Sequence, residues 1–121
     1  MNVIADQYAN QGVGSIFLCT HEAHPGENYP HHKTFADKLR HARDLRDVLG
    51  VTRPTLVDAL DGARHRAYGS MPNMSWIFTA SGVPVYKSDW TDAHSVENAL
   101  GYFLQVAEKC RKGERLAPFQ V

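Results

Sequence analysis

The stretch from Val13 to Gly50, VGSIFLCTHEAHPGENYPHHKTFADKLRHARDLRDVLG, decides how this chain is read. It opens on a continuous apolar run, Ile16-Phe17-Leu18-Cys19, the pattern of a strand covered on both faces, so a buried strand is expected over Val13–Cys19. A long polar loop follows from Thr20 to Lys33, where Pro25, Gly26 and Pro30 exclude a helix. Loops of that length in a compact domain are often functional. Thr34 then offers an N-cap with Asp37 three residues on, which completes a capping box. Phe35, Leu39, Ala42, Leu45 and Leu49 recur at helical spacing and form the expected buried face, and Gly50 closes the helix.

Outward from this stretch, Val3, Ile4 and Tyr8 mark a short amphipathic helical piece that stops at Gly12. Downstream, Pro54 leads into a strand at Thr55–Val57, and Asp61-Gly62 turns into one or two helical turns over Ala63–Tyr68. Ser75–Phe78 reads as a further strand, and Ser81-Gly82 returns it as Val83–Tyr86. Pro84 places that last strand at a sheet edge, because proline cannot donate to a ladder. Asp92 caps a final helix with Val96, Leu100, Phe103, Leu104 and Ala107 as its stripe, and Gly113 ends it. Alternating strands and helices followed by a hairpin imply a mixed sheet in the α/β class.

At 43% hydrophobic and 21% charged residues, the composition is that of one folded domain. Thirteen basic and thirteen acidic side chains cancel, so the basic face that nucleic-acid binding needs is not implied, nor is a polybasic membrane anchor. No apolar stretch is long enough to span a bilayer, and an acid at Asp6 interrupts any leader-like run. Cys19 and Cys110 lie far apart and form no disulfide pattern. The expectation is a cytoplasmic protein with reduced thiols. The departure from ordinary usage is seven histidines, four of them between His21 and His32.

Several local strings carry a resemblance: Glu22-Ala23-His24-Pro25 after the first strand, His32-Lys33 before the helix, Leu56-Val57-Asp58 with Asp61-Gly62, Ala67-Tyr68-Gly69 with Pro72, and Val85-Tyr86-Lys87. With the element order, they resemble the thioredoxin-like superfamily, in particular the iodothyronine deiodinase-like branch and its bacterial relatives, over residues 3–104. The resemblance implies a three-layer α/β/α fold with a mixed four-stranded sheet that lacks the family's central first strand and its nucleophile turn. It implies a single truncated domain over residues 1–113, followed by a tail over 114–121. The missing strand would lie between Val13–Cys19 and Ser75–Phe78. Two apolar edges would then be left, to be covered by each other or by a second copy, so a homodimer is expected.

No Cys-x-x-Cys occurs, and neither cysteine stands where the family keeps its nucleophile. A binding protein for a small molecule or a protein partner is therefore expected, with no cofactor. The rival is a thiol-dependent oxidoreductase that uses Cys19 or a nucleophile donated by a partner. Cys19 ends a strand, where α/β folds build their sites, although its apolar run also fits a core residue. By resemblance, Glu22, His24 and His32 line the cleft, and a carboxylate beside imidazoles is a sensible acid–base set near neutral pH. A third reading is a metal site on the loop at His21, His24, His31 and His32. By resemblance, Met71–Pro72 carries a cis-proline that helps bind extended ligands, with Met71, Pro72, Trp76 and Trp90 as ligand-binding candidates. Asp58 and Asp61 read as an Asx turn and a helix cap.

Overall fold

The computed structural model describes residues 1–20, 26–27 and 29–113. The chain is a mixed α/β protein that divides into two compact units, Met1–Pro72 and Asn73–Val121.

The first unit begins with α1 (Asn2–Ala9), which buries Ile4, Ala5 and Tyr8 one turn apart and leaves Val3 outside. The Asn2 side-chain amide donates to Gly50 O at 2.7 Å and ties the start of α1 to the turn that follows the next helix. Strand β1 (Phe17–Cys19) is shorter than the buried strand expected over Val13–Cys19: Ile16 is exposed, and within the strand Cys19 is the buried residue. Helix α2 (Phe35–Asp47) starts as expected: the Thr34 hydroxyl accepts from Asp37 N, and the Asp37 carboxylate accepts from Thr34 N. Strand β2 (Thr55–Val57) pairs parallel with β1, in the register Phe17↔Thr55, Leu18↔Leu56 and Cys19↔Val57. This is a β–α–β unit, the connection that parallel strands require, and α2 packs on β2. Helix α3 (Ala63–Ala67) follows.

The buried face of α2 differs from the one expected. Phe35 is 48% exposed and Leu49 is exposed, whereas Lys38, His41 and Ala42 are buried. The helix is turned by what it packs against: the neighbouring β2–α3 turn offers a carbonyl and a carboxylate, which suit an ammonium better than an alkyl face.

In the second unit, β3 (Ser75–Phe78) and β4 (Pro84–Ser88) form an antiparallel hairpin with a bulge between Ile77 and Phe78. Gly82, at φ 90°, supplies the left-handed turn residue. Pro84 stands at the start of its strand, where its missing N–H costs no ladder bond. Trp76 and Phe78 stack at 5.9 Å on one face of β3, as residues two apart in a strand do. Helix α4 (Ala93–Arg111) is capped by Asp92, whose carboxylate accepts from both Ser95 N and Ser95 Oγ, and it buries Val96 and Leu100.

Among the described residues the four strands pair as two separate two-stranded sheets, not as one four-stranded sheet. Met71–Pro72 is a trans peptide, not the cis bond expected. Among the described residues no helix is long and apolar enough to cross a membrane.

Candidate functional site

The side chains with chemistry to offer gather in the first unit, around the turn between β2 and α3. Asp58, 1% exposed, leaves β2 there. Its Oδ1 accepts from Ala59 N at 2.8 Å and Arg64 N at 3.0 Å, and its Oδ2 accepts from His65 N at 2.9 Å. The carboxylate thus caps α3, as the sequence implied. Burial alone would raise its pKa. The N–H groups of His65, Arg64 and Ala59, with the Lys38 charge, outweigh burial and hold it below the usual carboxylate range. Asp61 forms the expected Asx turn, accepting from Ala63 N at 3.1 Å.

Lys38 reaches this turn from α2. It is 1% exposed, and its Nζ donates to Ala59 O at 2.9 Å. An ammonium carries three N–H donors, and among the described residues this is the one hydrogen bond it makes.

A cleft of about 240 Å³ opens beside it. The segment before α2 contributes His31 and His32, α2 contributes Lys38, and the turn contributes Leu60, Asp61 and Gly62. Helix α3 contributes His65 and Arg66, and Arg66 bonds back to Asp61 O.

Two imidazoles have their tautomers set by their partners. His65 Nε2 lies 2.7 Å from Met71 O; a carbonyl only accepts, so Nε2 carries the proton. Gly69 and Ser70, both at positive φ, turn the chain back after α3 and bring that carbonyl to the ring. His41, 2% exposed, sits behind His32. Arg40 Nη2 lies 3.3 Å from His41 Nε2, and His41 Nδ1 lies 2.7 Å from His32 Nε2. Arginine only donates, so His41 accepts at Nε2 and donates from Nδ1, and His32 accepts at Nε2. Tyr29 meets the His41 ring edge-on at 5.1 Å.

Of the residues singled out from sequence, the structure brings His31 and His32 into this cleft. His21, Glu22 and His24 lie outside the described residues. Among those described, no group of three or more His, Cys, Asp or Glu is placed to hold a metal ion. Cys19 is buried in β1, with its carbonyl accepting from Asp58 N at 3.0 Å. Met71 and Pro72 close the first unit, both exposed, while Trp76 and the 66% exposed Trp90 belong to the second. Lys38, His41, His65 and Arg66 were not anticipated. The available signal was a lysine and a histidine one turn apart beside Ala42, on a helix whose apolar stripe runs out to Phe35 and Leu49. Compared with protein-family models, curated proteins and solved structures, the chain matches none.

Proposed function

We propose that this chain is a non-redox binding domain of thioredoxin-like type, and that it holds a small anionic molecule in the cleft of its first unit. The thioredoxin-like part rests on the Glu22-Ala23-His24-Pro25 string and on the β1–α2–β2 order with parallel pairing. The absence of a Cys-x-x-Cys from the sequence and the burial of Cys19 favour binding over thiol exchange.

One observation carries the anionic ligand. Lys38 is a buried ammonium with a single hydrogen bond among the described residues, at the edge of a cleft whose other donors there are imidazoles and a guanidinium. Burying a charge without filling its hydrogen-bonding capacity is unfavourable, and an acceptor entering the cleft relieves it. Leu60 offers the same ligand an apolar contact.

The test is an NMR screen of small carboxylates, sulfates and phosphates against the labelled protein, with Lys38→Met as the control. The reading expects perturbed resonances at His31, Lys38, His65 and Arg66, lost in the folded variant. Ligands that perturb only residues after Pro72, or that bind the variant equally well, overturn it.

A further inference from the structure

At the end of β2 away from the cleft stands a half-buried arginine. Arg53 lies just before Thr55, beside Pro54, whose carbonyl accepts from Phe17 N at 2.9 Å and ties this segment to the start of β1. Its guanidinium lies over the Phe17 ring, with Cζ 5.4 Å from the ring centroid, so the aromatic face holds the group in place. Arg53 Nε is buried and has no hydrogen-bond partner. Burial alone pushes the guanidinium pKa below its ordinary value, and no carboxylate acts against it. Arg46, Arg66 and Arg111, by contrast, each have a carboxylate beside them, from Asp47, Asp61 and Glu108.

A cation drawn partly out of water and left without a counter-charge is unfavourable, and an acidic partner relieves it. The guanidinium is also a planar fork that meets a carboxylate through two parallel N–H···O bonds. Its neighbours along the chain are apolar and uncovered: Ile16, next to Phe17, is exposed, as are Val48 and Leu49 in the turn that leads to Arg53. An arginine stacked on an aromatic ring among exposed apolar side chains has the composition of an interface anchor.

We propose that Arg53, held on Phe17, is a docking anchor for a segment of another protein that presents an aspartate or glutamate beside apolar residues. Nε is the covered nitrogen, so the carboxylate meets the group end-on at Nη1 and Nη2. The apolar residues next to that acid lie against Ile16, Val48 and Leu49. A small oxyanion would answer the charge and leave those side chains in water, which is why the occupant is a protein segment. This surface is separate from the cleft, and it does not depend on what binds there.

The test is selection from a displayed random-peptide library on the whole chain, followed by NMR titration of the selected peptides into the labelled protein. The expected peptides carry an aspartate or glutamate next to an apolar residue and shift the resonances of Phe17, Arg53 and Thr55. Replacing that acid by its amide is expected to weaken binding by about tenfold or more, the loss of a charge-assisted hydrogen bond. Arg53→Gln, with its fold checked by the amide spectrum, is expected to lose the same factor. Arg53→Lys keeps the charge without the fork and is expected to recover part of the affinity, which keeps the test decisive if the glutamine variant does not fold. Peptides that bind either variant as tightly as the parent, selected sequences without an acid, or no selected peptide at all overturn the anchor. Inorganic phosphate that shifts the same resonances and binds more tightly than every peptide overturns the protein segment in favour of a small oxyanion. Self-association of the chain that Arg53→Gln abolishes overturns a foreign partner in favour of a second copy.

Discussion

Asp58→Asn tests whether the buried Asp58–Lys38 arrangement organises the first unit. The substitution keeps size and shape. An asparagine oriented with its oxygen in the Oδ1 position still accepts from Ala59 N and Arg64 N. Its NH2 then faces the His65 N–H at the 2.9 Å where Oδ2 had accepted, donor against donor. Losing a hydrogen bond to a charged group costs about 1.5–3 kcal/mol. Lys38, 1% exposed, also loses a nearby negative charge, but it makes no ion pair with Asp58 and keeps its bond to Ala59 O. The two losses describe overlapping interactions and do not add, so the expected destabilisation is about 1.5–3 kcal/mol. With a urea dependence of about 1–3 kcal/mol per molar, the midpoint falls by on the order of 1 M. Lys38→Met removes the other partner and leaves Asp58 with its three N–H groups, so its cost is smaller, about 1 kcal/mol. In the double variant no charge is stranded, and its loss should fall short of the summed single losses by about 1–3 kcal/mol. Urea unfolding of the four proteins is the assay. An Asp58→Asn midpoint close to that of the parent, or strictly additive losses, would refute the reasoning, because Lys38 and Asp58 would then not sense one another.

Two further expectations concern the rest of the chain. Cys110 is exposed on α4 and Cys19 is buried in β1, so Cys110 should alkylate quickly and Cys19 only as the protein opens; rapid labelling of Cys19 in the native state would restore the thiol-enzyme reading. The Asp37, Asp58 and Asp92 carboxyls are held below their ordinary value of 3.8: Asp37 chiefly by the Lys33 N–H, Asp92 by the Ser95 hydroxyl and N–H, and Asp58 by three N–H groups and Lys38 acting against burial. A lowered folded pKa contributes stability that is complete above the unfolded value and is lost as pH falls through the folded one, so denaturant midpoints should fall below about pH 4; a midpoint unchanged through that window would show that these bonds do not form.

Much of the local structure was legible because its causes are local. Thr34 and Asp37 form a capping box through groups within one turn, and Asp92 finds its Ser95 partner three residues on. The strands Thr55–Val57 and Ser75–Phe78 stand where short apolar runs between turn residues place them. The role of Asp58 as a cap was legible for the same reason. Of the residues that line the cleft, His31 and His32 were legible as candidate site residues and Asp61 as a turn or cap residue. Lys38 and His41 stand outside the stripe expected for α2, since a helical stripe is drawn from apolar residues and passes over a lysine whose ammonium finds a carbonyl. His65 and Arg66 sit on a helix too short to show any periodicity.

The sequence by itself determined the kinds of element, their order, their caps and the absence of a Cys-x-x-Cys, because hydrophobic period, turn chemistry and capping act between residues a few positions apart. Only the tertiary structure decided which face of α2 is buried, how four strands pair two by two, and that an ammonium, three imidazoles and a guanidinium share one cleft. Those outcomes depend on partners distant along the chain. The Ala59 carbonyl that receives Lys38 lies on the far side of β2, and no pattern within either segment reveals that the other is there to meet it.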